Sequence, residues 1–276
     1  MYPCATNSAK RETRRHQARN TMTNLTFSEL LSDAISKPGK ISAAYSAFHN
    51  YSFGNMMAAA AQLEARGVAL GPIASFMGWK DKGRSVKKGA KAIALCMPVT
   101  CKGKKENEAG ETEEFSFAKF TWKNNWFVLS DTEGEDLAHD AKTPAWSADK
   151  ALTTLEISQV PFAHHDGNCQ GYAFARNIAI NPVAALPHKT RFHELAHIVL
   201  GHTAENRMTD SETTPRDIRE VEAEATAYIL CALLDLPGLE EARGYVQHWL
   251  QGADISERSA QRIYKAADTI FKAGQA

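Results

Sequence analysis

The chain has 276 residues with 43% hydrophobic and 23% charged side chains, the balance of an ordinary water-soluble globular protein. No stretch approaches 18 uncharged apolar residues, and the charged N-terminus has no apolar core, which argues against a membrane span and against a secretory signal. Lys and Arg match Asp and Glu at 32 each, but unevenly: the first 130 residues carry 19 basic and 10 acidic side chains, the remainder 13 and 22.

In chain order, residues 1–22 read as a disordered basic arm without apolar period. Phe27, Leu30, Leu31 and Ile35 space an amphipathic helix that Thr26 or Ser28 can cap. Pro38-Gly39 breaks the chain. An Ala-rich helix is predicted from Asn55 to Arg66, stopped by Gly67. Lys91–Val99 reads as a strand, Lys102–Glu114 as a charged hairpin tip, and Phe115–Trp122 as a second strand of period two. Asn125–Leu129 is expected to continue that sheet. The polar run from Asp131 to Pro144 sets a linker at 134–145 between two domains, 23–133 and 146–276.

The second domain begins with a predicted helix, Trp146–Ser158, and short strands near Val160–Ala163 and Gly171–Ile180. Helices follow over His188–His202, Arg216–Leu234, Glu240–Gln251 and Ser256–Lys272, with a polar loop from Arg207 to Pro215. In the last helix Ala260, Ile263, Tyr264, Ala267, Ile270 and Phe271 form one apolar face. The fold class is therefore α+β: an N-terminal α+β domain with a small antiparallel sheet, and a mostly helical C-terminal domain with a small sheet. The five cysteines (4, 96, 101, 169 and 231) never have CxxC spacing, which fits a reducing cytoplasm.

The chemistry concentrates in His193-Glu194-Leu195-Ala196-His197. Two histidines at i and i+4 share a helix face about 6 Å apart, close enough for both imidazoles to reach one zinc ion. Glu194, beside the first of them, can take a proton from water acidified by the ion. A catalytic zinc needs a third protein ligand. The next helix offers Glu220, Glu222 and Glu224. Glu220 and Glu224 share a face, and Glu222 points about 200° away. Glu220 is taken as the ligand and Glu224 as its neighbour that hydrogen-bonds a ligand histidine, with Glu224 or Glu222 as rival ligands. His202 is expected to cap carbonyls at its helix end.

The basic half points to a polyanion. Residues 79–91 carry six cations: Lys80, Lys82, Arg84, Lys87, Lys88 and Lys91. With Trp79 and Tyr51 nearby, they suit single-stranded DNA, where lysines follow phosphates and rings stack on bases.

These segments resemble a known family. Residues 51–55, 76–79 and 83–93 are similar to the N-terminal domain of ArdC-type antirestriction proteins. Residues 192–199 and 219–224 resemble that family's zincin-like metallopeptidase domain. The likeness covers about residues 25–275. It implies a protein of plasmids or other mobile elements, acting in the bacterial cytoplasm, that binds single-stranded DNA non-specifically and protects it from restriction. It implies zinc on His193, His197 and Glu220, with Glu194 catalytic, and it adds Asn55 to the DNA-contact set. A host protein such as a restriction enzyme is the candidate substrate, and no membrane is involved. The competing expectation is a regulatory peptidase whose basic domain binds a protein partner.

Overall fold

A computed structural model describes residues 25–106, 112–137, 145–163, 168–203, 214–250 and 254–275. The expected arm at 1–22 lies outside the described residues. So do most of the expected linker and most of the loop from Arg207.

Three helices open the described chain: α1 (Phe27–Ser36), α2 (Lys40–Phe48) and α3 (Phe53–Ala65). Thr26 caps α1 through a reciprocal pair with Glu29, each accepting from the other's backbone amide. The expected break at Pro38-Gly39 is only a turn, and α2 follows at once, a helix for which the sequence pattern carries no clear signal. α3 is enclosed along most of its length, with Met56, Met57 and Ala58 to Ala60 all buried.

A three-stranded antiparallel sheet comes next, in the order β1–β4–β3, with β1 at Ile73–Ser75, β3 at Ile93–Glu106 and β4 at Thr112–Val128. Helix α4 (Phe76–Asp81) and strand β2 (Arg84–Val86) lie between β1 and β3 in sequence, and β2 pairs with β5 (Thr132–Gly134). The stretch expected as a charged tip, Lys102–Glu114, is largely ladder. Lys102 stands opposite Ser116 and Lys104 opposite Glu114, whose carboxylate lies 3.4 Å from the ammonium. Facing charges of opposite sign let a polar stretch continue the sheet. Asn125–Leu129 does extend the sheet, as the end of β4 itself, where Val128 pairs with Ile73.

The second half starts with α5 (Ala148–Leu155), capped by Ser147. A sheet of order β6–β8–β7 follows, with β6 at Ser158–Gln159, β7 at Gly171–Phe174 and β8 at Asn177–Ile180, β6 running parallel and β7 antiparallel to β8. The first of these strands lies just ahead of the expected Val160–Ala163. The helices α6 (Pro187–Val199), α7 (Arg216–Leu233), α8 (Leu239–Leu250) and α9 (Glu257–Gly274) complete the chain. Among the described residues no helix is long and apolar enough to cross a membrane.

Buried residues from both sides of 134–145 form one connected core, from Leu31, Phe48 and Met57 to Leu195, Tyr228 and Ile263. Helix α9 is the common strap. Its apolar face is fully internal and meets α1 and α3 as well as α5, α6 and α7. Asp268 on α9 accepts from the Phe53 amide at the start of α3 (3.1 Å). Tyr228 on α7 donates to the Ile35 carbonyl (3.2 Å). The strap fixes α6 and α7, which carry the site.

Candidate metal centre

Pro187 starts α6 at its first turn, where its missing amide hydrogen costs nothing. Phe192, Leu195, Ala196 and Ile198 are buried on one side of the helix, and Phe192 meets the Trp146 ring edge-on at 4.9 Å. That anchoring turns His193, Glu194 and His197 toward α7 and β7. In α7 every residue from Val221 to Leu233 is buried, so the glutamates of this helix are not a solvated face: Glu222 is 1% exposed and Glu224 2%.

Three ligand-type atoms converge. Nε2 of His193 and Nε2 of His197 lie 3.1 Å apart, and Oε2 of Glu220 is 3.4 Å from the first and 3.7 Å from the second. They can hold one metal ion, since all three atoms lie within 4.8 Å of one another. Two imidazole nitrogens and a carboxylate oxygen aimed at one point make a donor set that fits a divalent metal ion. Glu224 stands behind His193, with its Oε2 2.9 Å from Nδ1, and its other oxygen faces the Lys189 ammonium. Glu222 points the opposite way, as its phase on the helix requires, and meets His202 at 2.9 Å.

The electrostatics follow from this packing. Burial alone would lower the His193 pKa, but hydrogen bonds to Glu220 and Glu224 overcome it and raise the value to about 9. Burial keeps the His197 pKa below its ordinary value. The two histidines hold the Glu220 carboxyl far below the usual carboxylate range. Burial raises Glu194 to about 7. A cleft of about 380 Å³ opens over these groups, with Gly171 and Tyr172 of β7 on one wall and Arg216 and Arg219 on the other. Gly171 is required there: a Cβ would lie 2.6 Å from Thr190 Cγ2 and 3.2 Å from Glu194 Oε1.

His202 departs from expectation. Its ring does not cap helix carbonyls but lies between His197 (3.0 Å, Nδ1 to Nδ1) and Glu222. The helical period that selects residues 193, 197, 220 and 224 does not extend past Gly201, and so it gives no signal for this contact.

The nine residues expected to contact DNA divide. Trp79 is 1% exposed and donates from Nε1 to the Phe127 carbonyl (2.8 Å). Asn55 is buried and pairs both ways with the Cys96 backbone, at 3.0 and 2.8 Å. Arg84 is buried against Thr132 and the Glu135 carbonyl. These three are buried in the framework: the polar atoms of Trp79 and Asn55 pair with backbone, and Arg84 pairs with the Thr132 hydroxyl as well as with backbone carbonyls. Tyr51 is half-buried and donates to the Ile73 carbonyl (3.1 Å). Lys80, Lys82, Lys87, Lys88 and Lys91 are exposed, Lys87 with its ammonium on the Ser130 carbonyl. Rings that do face outward include Phe76 at the start of α4, 52% exposed, and, on the β3–β4 ribbon, Phe115, Phe117, Trp122 and, 67% exposed, Phe120. In the unbroken ladder Phe115 and Phe117 share one face of β4 and Phe120 stands on the other, so the ribbon presents aromatic rings on both faces.

Residues 32–125 match the family described as the N-terminal domain of anti-restriction factor ArdC. The metal-free crystal structure of the antirestriction ArdC protein from the R388 plasmid is similar in fold, with a TM-score of 0.51, 19% identity, and coverage of 90% of this chain and 94% of that one. The Mn(II)-bound structure of the R388 protein has a TM-score of 0.50 and 18% identity over 90% and 97% of the two chains. No curated protein matches the chain. Residues 32–125 thus match the ArdC N-terminal domain family, and over nine-tenths of its length the chain is similar in fold to the R388 protein.

Proposed function

We propose that this protein shields incoming single-stranded DNA from restriction and carries a zinc-dependent peptidase centre held by His193, His197 and Glu220. The observation that carries the reading is the convergence of those three side chains beside Glu194 in an open cleft. A zinc ion at that point supplies Lewis acidity. The chain's own residues do the rest. Glu194 lies buried beside the first ligand histidine and on the cleft, where a general base and acid must stand. Strand β7 is an edge strand of its sheet among the described residues, and its Gly171, Tyr172 and Ala173 line the cleft. An extended peptide can pair with such an edge and lie across the site.

For nucleic acid, the support is the exposed set Lys80, Lys82, Lys87, Lys88 and Lys91. Lysines of this kind track phosphates without reading sequence. The likeness in fold to the R388 antirestriction protein agrees with DNA as the ligand. A second reading, in which the N-terminal domain grips a protein partner, draws on the exposed Phe115, Phe117 and Phe120, since outward aromatic clusters commonly mark interfaces.

Glu194→Gln separates binding from chemistry. The variant is expected to keep one metal ion per chain and its affinity for an oligonucleotide while losing proteolysis of a casein-type or host-protein substrate. Equal proteolysis by variant and wild type would overturn the catalytic assignment.

A further inference from the structure

Past α6 the chain turns at Gly201, whose φ of 79° is the left-handed backbone that glycine adopts at least cost. The turn brings His202 back beside α6, and its amide donates to the His197 carbonyl (2.8 Å). Its ring spans two partners, His197 Nδ1 at 3.0 Å and Glu222 Oε2 at 2.9 Å. Arg262 of α9 closes the chain of contacts. It donates to the Leu200 carbonyl (2.8 Å) and stands 3.2 Å from Glu222 Oε2.

We infer that Glu222 and His202 form a proton-ordered relay that presents the Nε2 lone pair of His197 to the metal position. A proton inventory gives the direction. The Glu222 carboxylate, beside a guanidinium, can only accept, so His202 Nε2 carries the hydrogen that lies between them. A neutral imidazole with its hydrogen on Nε2 accepts at Nδ1. His197 must then donate from Nδ1, which leaves its Nε2 as a bare lone pair facing His193 and Glu220. Arg262 Nη2 donates to Leu200 and lies 3.2 Å from Glu222 Oε2 and 3.4 Å from His202 Nε2; because the His202–Glu222 contact is the shorter, at 2.9 Å, the Nε2 hydrogen is assigned to it and the guanidinium serves as the counter-ion.

His193 is oriented separately, by Glu224 directly. Each imidazole of the pair thus has its own carboxylate, one at first hand and one through a second histidine. Carboxylates behind ligand histidines commonly fix tautomer and ring angle. Here the reach from α7 to His197 is too long for a glutamate at position 222, and His202 fills the gap. The buried Glu222 carboxylate and His202 imidazole, with the partly exposed Arg262 guanidinium beside them, are costly to desolvate, which an inert filler would not require. His202 and Glu222 are positioning residues, and the inference rests on reading His193, His197 and Glu220 as ligands.

The test uses the full chain with Mn(II) alone as probe and follows the free ion by electron paramagnetic resonance. His202→Ala removes the acceptor and is expected to weaken binding roughly 10- to 100-fold. His202→Asn sets an amide oxygen near the position of the missing Nδ1 and is expected to restore most of the affinity. In the zinc-loaded wild type the His197 Nδ1–H is expected as a slowly exchanging ring resonance by nitrogen-edited proton NMR, absent from the Ala variant. A purely structural His202 would lower the melting temperature of the metal-free protein without moving affinity or that resonance. Wild-type affinity in a folded Ala variant overturns the relay, and so does an Asn variant as weak as the Ala variant. If the Ala variant is unfolded by circular dichroism, the Asn variant decides alone, with near-wild-type affinity expected and a hundredfold loss overturning the relay. A wild type that binds neither Mn(II) nor Zn(II) removes the metal reading itself, a result distinct from failure of the relay alone.

Discussion

The centre between α6 and α7 and the basic stretch from Trp79 to Lys91 are both rich in chemistry-bearing residues, yet they fold to opposite ends. In the first, polar side chains turn toward one another and form layers, from the converging Nε2 and carboxylate atoms out to Glu224, His202 and Glu222. In the second, neighbours part company: Trp79 and Arg84 turn inward to backbone carbonyls, while Lys80, Lys82, Lys88 and Lys91 face solvent. A helix with one buried face dictates where each residue points. A short helix followed by a two-strand clip with turns at Gly83 and Gly89 does not, because each turn resets the direction.

The sharpest way to break the comparison is at the centre. His193→Ala with His197→Ala is expected to abolish binding of one metal equivalent per chain, measured by elemental analysis after dialysis. An unchanged stoichiometry would show that the converging atoms are only a hydrogen-bonded cluster.

Next comes the inward half of the basic stretch. Trp79→Ala is expected to cost about 3–5 kcal/mol of stability, as for a buried ring, read by chemical denaturation. It should leave the salt dependence of oligonucleotide binding unchanged in the folded protein. A lower slope with unaltered stability would return Trp79 to the contact surface.

Removing Lys80, Lys82, Lys88 and Lys91 together should do the reverse. The melting temperature should hold, while the slope of log affinity against log salt for single-stranded DNA falls by up to about 0.7 for each phosphate no longer neutralised. If Phe115→Ser with Phe117→Ser and Phe120→Ser abolishes binding to a protein partner while the four-lysine variant keeps full DNA affinity, the second reading of the N-terminal domain gains.

The smallest effect tests the strap that joins the two regions. Burial raises the Asp268 pKa to about 6 against an ordinary value of 3.8. Its contribution to stability is therefore full below pH 3.8 and disappears as pH rises through about 6, where the folded state must ionise a buried carboxyl. Asp268→Asn keeps an acceptor for the Phe53 amide and avoids that ionisation. It is expected to be more stable than wild type by about 1–2 kcal/mol at pH 8, with the advantage shrinking toward about pH 4.5. A pH-independent difference would mean that the carboxyl titrates normally.

What is legible in the sequence follows the same division. The positions of residues 193, 197, 220 and 224 follow from the 3.6-residue period, and the opposite aim of Glu222 follows from the same count. His202 does not, since its contact depends on the left-handed turn at Gly201. The apolar face of α9 is legible, but not that it meets α1 and α3 as well as the C-terminal helices. The β3–β4 ribbon is longer than the sequence pattern suggests. Charge ordinarily signals a loop, whereas here Lys104 and Glu114 face each other across two strands.

The most direct measurement is X-ray absorption at the zinc edge on the zinc-loaded full chain, together with its Glu220→Gln variant. The account predicts one zinc per chain with two imidazole nitrogens and a carboxylate oxygen in the wild type, and an altered oxygen shell in the variant. A zinc environment without paired imidazole scattering, or one that the variant leaves untouched, would contradict it.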